Sequence, residues 1–232
     1  MPERFGIYFA PSVTSPLWML ATQWLGRDAA TGEAVEMITG GLEPARRFAL
    51  TESARRYGFH ATLKAPIALD SGLKPRDLDA ALRAFAGASA PIDIGPMVLR
   101  PIDGFLALVP DEQTADLTTF AAKCVADFDP LRAPVSETDR ARRLTSGLTP
   151  RQIELLDQYG YPYVFEEFRF HMTLSDRLKG TDHDVVFLAA ENWFAPVLGQ
   201  NLLLDRLVLF HEAEAGAPFT RLRDYPLTQA DA

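Results

Sequence analysis

Two five-residue segments far apart in the chain, Phe59-His60-Ala61-Thr62-Leu63 and Phe170-His171-Met172-Thr173-Leu174, agree at four of their five positions. Side chains alternate across a β-strand, so in each segment His and Thr share one face while Phe, Ala or Met, and Leu share the other. Each unit therefore has an apolar back that must be buried and a polar front that is costly to bury without water or a ligand. A chain carrying two such units is expected to bring both polar fronts to one cleft.

The elements around the two segments repeat in the same sense. RFGIYFAP reads as a first strand, with Phe5, Ile7 and Phe9 on one face and Gly6, Tyr8 and Ala10 on the other. A short apolar helix follows, capped by Ser15, started by Pro16 and ended by Gly26. Residues 26 to 55 lack clean periodicity and read as irregular. YGFHATLKAPIAL is a strand, KPRDLDAALRAFAGA a helix with Leu78, Leu82 and Phe85 on one stripe, and PIDIGPMVLR and GFLALVP two further strands. A second amphipathic helix covers 112 to 127. After a helix starting at Thr149-Pro150 the order returns: strand EFRFHMTLSD, a helix over 181 to 194, strand LLLDRLVLF and strand APFTRLRDYPL.

This pattern predicts an α+β fold, bilobal and pseudo-duplicated, with two antiparallel-leaning sheets flanked by helices and a central cleft. Residues 1–232 form a single bilobal domain in this reading. Lobe one is mainly 1–110, lobe two mainly 111–232, and an arginine-rich connection covers about 129–148.

Composition narrows the function classes. With 232 residues, 47% of them hydrophobic, the chain can bury a sizeable core, and its net charge of -8 argues against broad electrostatic binding to long nucleic acid. A small anion needs only a local basic pocket. One cysteine, Cys124, excludes an internal disulfide and fits a reducing, cytoplasmic setting. The four histidines show no metal-ligand spacing, and no apolar run of about 18 residues suggests a membrane span. Neither metal nor cofactor is expected.

Parity extends the polar fronts. Lys64 is expected beside His60 and Thr62, and Ser175 and Arg177 beside His171 and Thr173, giving two imidazoles, two hydroxyls and fixed cations around one cavity. An imidazole with a pKa of about 6.5 serves as either base or acid near neutrality. One would take a proton from water and the other would give one to a departing oxygen, while hydroxyls and Lys64 steady the phosphate charge. A single strand histidine is ordinarily structural or exposed, and His183 and His211, with no following threonine, are assigned that way. The repetition of the whole unit is what points to chemistry. Tyr8, on the polar face of the first strand, is a candidate substrate contact. Arg132 and Arg143, in a segment that also carries Arg140 and Arg142, are candidates for folding over the cleft to hold a second phosphate.

The paired His60-Ala61-Thr62-Leu63 and His171-Met172-Thr173-Leu174 resemble the two motifs of the two-histidine (2H) phosphoesterase superfamily. The resemblance covers most of the chain. It implies a bilobal α+β fold acting without metal on cyclic phosphodiesters, 2′-phosphates or 2′-5′ linkages, with His60 and His171 as the acid/base pair and Thr62 and Thr173 as phosphate-contacting hydroxyls. RFGIYFAP, Trp24-Leu25-Gly26-Arg27-Asp28, Tyr57-Gly58-Phe59-His60 and Pro130-Leu131-Arg132-Ala133-Pro134 further resemble a bacterial branch encoded beside phosphonate-degradation genes. That branch implies a cyclic phosphate of a phosphorylated ribose as substrate. Two alternatives stand beside this reading: a phosphodiesterase of RNA ends or 2′-5′ oligonucleotides, and a nucleotide- or phosphate-binding module without turnover.

Overall fold

The alternation expected of the first strand carries through to a sheet in which every named pairing is antiparallel. The computed structural model describes residues 3–37 and 41–228. Its strands are β1 (Arg4–Phe9), β2 (Ala61–Ile67), β3 (Ile92–Ile102), β4 (Phe105–Pro110), β5 (Met172–Thr173), β6 (Asn201–Leu204), β7 (Arg206–Glu212) and β8 (Thr220–Pro226). Its helices are α1 (Pro16–Leu25), α2 (Pro44–Ala49), α3 (Glu52–Tyr57), α4 (Pro75–Gly87), α5 (Ala115–Phe128), α6 (Glu137–Leu144), α7 (Pro150–Tyr159) and α8 (Asp182–Phe194).

The strands form one eight-stranded sheet in the order β6-β3-β4-β5-β2-β1-β7-β8. The α+β class with antiparallel pairing and flanking helices is as expected, and the two expected sheets are joined edge to edge where β5 meets β2. Each half of the sheet takes strands from both sides of residue 110. LLLDRLVLF, expected as one strand, is divided at Asp205: β6 pairs with β3 at one edge, and β7 pairs with β1 and β8 near the other. With one residue between them, these strands can lie toward opposite ends of the sheet order only if the sheet is strongly curled.

The larger of two hydrophobic clusters among the described residues draws on both the sheet and its helices, and a small one joins Val125, Leu155 and Val164. Trp24 of α1 packs on Phe194 of α8, and Phe85 of α4 packs on Phe120 and Phe128 of α5. The helix ends follow local chemistry. Ser15 accepts from the Trp18 amide at 3.1 Å, Thr149 accepts from the Gln152 amide at 3.2 Å, and Gly26 takes the left-handed conformation that closes α1.

The irregular reading of 26 to 55 is corrected by α2 and α3, short helices whose six residues are too few to show a period. Residues 38–40 of that stretch lie outside the described residues. The connection around 129–148 holds a 3₁₀ turn at Asp129–Leu131 and α6, which the charged composition concealed. Among the described residues no helix is long and apolar enough to cross a membrane.

Candidate active site

The junction of β2 and β5 decides where the repeated segments lie. Ala61 pairs with Met172, so continuing that register one residue each way sets His60 across from Thr173 and Thr62 across from His171. The two histidines are then diagonal neighbours on adjacent strands, about 7–8 Å apart at the backbone. The apolar backs behave as expected: Phe59, Leu63, Phe170, Met172 and Leu174 are all buried in the core. His60, Thr62, His171 and Thr173 together line a cavity of about 620 Å³ roofed by α3 and α6.

Both imidazoles are held the same way. His60 Nδ1 lies 2.9 Å from the Gly58 carbonyl and His171 Nδ1 lies 2.7 Å from the Arg169 carbonyl, in each case the residue two before it. A carbonyl only accepts, so both Nδ1 atoms carry a proton, and in the neutral rings both Nε2 atoms present a lone pair. Thr62 Oγ1 is 3.3 Å from His60 Nε2 and donates to it. Gly58 is needed for this placement: its φ is +79°, and a Cβ there would fall 2.6 Å from that of Ala29.

Burial pulls the His60 pKa down to about 4, opposed by the bond to Gly58 and reinforced by His171. His171 is also lowered by burial, and Asp103 acts in the opposite direction. Both shifts favour the neutral imidazoles near pH 7, and an anion between them would favour protonation of one.

Tyr8 lines the cavity as expected, fully buried, with its ring stacked on His60 at a centroid distance of 3.8 Å. Arg143 of α6 also lines it, its guanidinium 5.1 Å from the centre of the Tyr161 ring. Arg177 and Ser175 reach the cavity as parity requires. Arg4 and Arg56 share the single carboxylate of Glu212, and Arg142 pairs with Asp139. Among the described residues, Arg143 and Arg177 are the lining arginines without a carboxylate in an ion pair.

Two expected contacts are corrected. Lys64 faces away from the cavity, because the register slips between Ile7 paired with Lys64 and Tyr8 paired with Thr62. This bulge reverses the alternation, so Lys64 follows the buried Ile7 instead of Thr62. Its ammonium, in a side chain 2% exposed, bonds Asp129 at 2.6 Å and the Val125 carbonyl at 3.2 Å. Arg132 is committed to the same cluster, 3.0 Å from Asp129, and bonds the Gln158 carbonyl at 3.1 Å. It lies outside the cavity lining. His211 is structural as expected, bonding Glu3 and stacking on Phe5.

Residues absent from the expectation complete the site. Tyr57 and Tyr161 line the cavity, and a smaller chamber of about 140 Å³ next to His171 is walled by Phe105, Tyr161, Tyr163 and Phe168. Their aromatic character was visible in the sequence, but nothing local tied residues 161 to 168 to either histidine.

Residues 62–220 match the family described as "Protein of unknown function (DUF1045)". The chain belongs to this family. Relatives of this DUF1045 protein include "Ribose 1,5-bisphosphate phosphokinase PhnN" of Janthinobacterium sp. (strain Marseille), 40% identical over 230 residues, with 97% of this chain and 51% of that protein covered. The protein of the same name from Laribacter hongkongensis (strain HLHK9) is 36% identical over 221 residues, covering 95% of this chain and 51% of that one. The chain spans about half the length of the curated relatives it matches. Among solved structures it is similar to E. coli LigT complexed with 3′-AMP, at 15% identity and a TM-score of 0.44 over 99% of this chain and 100% of that one. A crystal structure of a phosphoesterase is similar at 13% identity and a TM-score of 0.42, over 98% of this chain and 100% of that one.

Proposed function

We propose that this DUF1045 protein is a phosphoesterase that hydrolyses a small cyclic phosphodiester, using His60 and His171 as its general acid and base without a metal. The observation carrying this reading is that two imidazoles, each with Nδ1 bonded to a backbone carbonyl, line one cavity with their threonines. A phosphodiester bound between them meets a proton acceptor on one side and a proton donor on the other. Such a pair contributes typically about 10²–10⁴-fold for each proton transfer. Thr62, Thr173 and Arg177 supply hydrogen bonds and charge for the non-bridging oxygens, where negative charge grows in the transition state.

The preferred substrate is a cyclic phosphate of a phosphorylated ribose. Arg143, at the α6 side of the cavity and without a carboxylate in an ion pair, suits a second phosphate. The name of the curated relatives agrees with this chemistry: opening a cyclic phosphate across O1 and O2 of ribose 5-phosphate at the bond to O2 gives ribose 1,5-bisphosphate. A second reading, a nucleotide or 2′-5′ oligonucleotide phosphodiesterase, is favoured by the aromatic chamber beside His171, which suits a planar base.

Incubating the protein with chelator and a panel of the cyclic ribose phosphate, a 2′,3′-cyclic nucleotide and a 2′-5′ dinucleotide tests the readings together. Fastest turnover of the first is expected; preference for either nucleotide would favour the second reading, and a ligand bound but unhydrolysed over hours would indicate a binding module. For the bisphosphorylated substrate, Arg143→Ala is expected to raise KM about 10- to 100-fold, because bonds to charged groups contribute about 1.5–3 kcal/mol. An unchanged KM would remove Arg143 from the site.

A further inference from the structure

The two histidines are matched in backbone anchoring and mismatched in surroundings. His60 lies against the face of Tyr8, ring planes 21° apart, with Phe210 and Tyr57 at 5.8 and 6.2 Å. His171 has Phe105 at 5.5 Å, tilted by 48°. Asp103 acts electrostatically on His171, whereas no carboxylate acts comparably on His60.

The stack on His60 depends on a residue with no chemistry of its own. Gly6 lies two positions before Tyr8 on the same face of β1, and a Cβ there would fall 2.3 Å from Tyr8 Cζ and 2.6 Å from its hydroxyl oxygen. The Tyr8 ring therefore lies back over the bare backbone of Gly6 and against His60. Its buried hydroxyl has no hydrogen-bond partner. The contact Tyr8 makes with His60 is therefore through its ring.

We infer that Gly6 and Tyr8 form a positioning device that breaks the near-symmetry of the site, assigning His60 as the imidazole that accepts a proton from water and His171 as the one that donates to the departing oxygen. The inference rests on the phosphoesterase reading above. An imidazolium against an aromatic face gains about 0.5–2 kcal/mol, less than the several kcal/mol that an unpaired charge loses on leaving water. Enclosure thus keeps His60 neutral. His171 disfavours a proton on His60, and the wall of their cavity also carries Arg4 and Arg56, which share Glu212, Arg142 paired with Asp139, and Arg143 and Asp176. Arg169 and Asp103 act on His171 in opposite senses, and Arg177 shares its cavity wall.

In the reaction the water oxygen bonds to phosphorus as its proton passes to His60 Nε2. The ester P–O bond breaks, and the departing oxygen takes the Nε2 proton of His171. His60 then releases its proton to solvent and His171 regains one, so the net change is addition of one water.

Nuclear magnetic resonance titration of the imidazole nitrogens in the full chain, without substrate, tests the assignment apart from the activity. His60 is expected to protonate at a lower pH than His171, and the reverse order would overturn the inference. Tyr8→Leu is expected to move the His60 midpoint up by about one pH unit or more, about 1.4 kcal/mol, while Tyr8→Phe restores it. With an active substrate, the acid limb of the kcat/KM profile should follow the same shift. A His60 midpoint unmoved by Tyr8→Leu would show that the ring does not position or shield it. Should Tyr8→Leu not fold, the order of the two midpoints in the unmodified protein and the Tyr8→Phe titration still decide. Absence of turnover across the substrate panel would instead count against the phosphoesterase reading, leaving the titration result intact.

Discussion

Replacing either His60 or His171 by alanine is expected to lower kcat for a cyclic phosphodiester by about 10²–10⁴-fold, the range for loss of a positioned acid or base. Both imidazoles line one cavity with Nδ1 held by a backbone carbonyl, so under the proposed mechanism each loss would remove a proton transfer and leave most binding contacts in place. The double variant should lose little more than the worse single one, because groups acting on one transition state are not additive. Circular dichroism and steady-state kinetics on the three variants check this. A folded single variant within threefold of the parent would mean that its imidazole takes no part in the chemistry.

The second large effect is on stability. Lys64 is almost wholly buried against Asp129, so Asp129→Ala leaves an ammonium in the core without its carboxylate and is expected to cost about 3–5 kcal/mol. Burial lowers the Lys64 pKa and Asp129 opposes that shift, so the variant would be expected to favour the neutral amine and recover part of the loss. Lys64→Met should cost far less, since the carboxylate keeps Arg132 at 3.0 Å and is partly exposed. Urea unfolding of both variants separates them. Equal losses would refute the buried-charge account, and a KM raised specifically by Lys64→Met would return Lys64 to the substrate site.

The same lysine shows how far sequence parity reaches. His60 with Thr62 and His171 with Thr173 were legible because two residues of perfect alternation need no knowledge of partner strands. The step from Thr62 to Lys64 did not survive: a register slip against β1 falls at Leu63, and nothing in Thr62-Leu63-Lys64 announces it. On the other side, Ser175 and Arg177 reach the cavity although β5 ends at Thr173, so parity succeeded there beyond the strand that justified it. Arg143 and Arg132 are equally basic in the sequence, and only folding shows that Asp129 and the Gln158 carbonyl occupy Arg132. Tyr8 was legible as a cavity residue, whereas the role of Gly6 required the close approach that only coordinates reveal.

The shortest strand of the sheet lies at its middle. β5 has two residues, and its only named register partner in β2 is Ala61 for Met172, while the pairings farther out, such as β3 with β4 and β7 with β8, each run over six positions. His60 and His171 therefore stand on either side of the sparsest joint between the halves, and a phosphate gripped by both would act as a clasp across it. Occupancy of the cavity would then tighten the framework that holds the two rings.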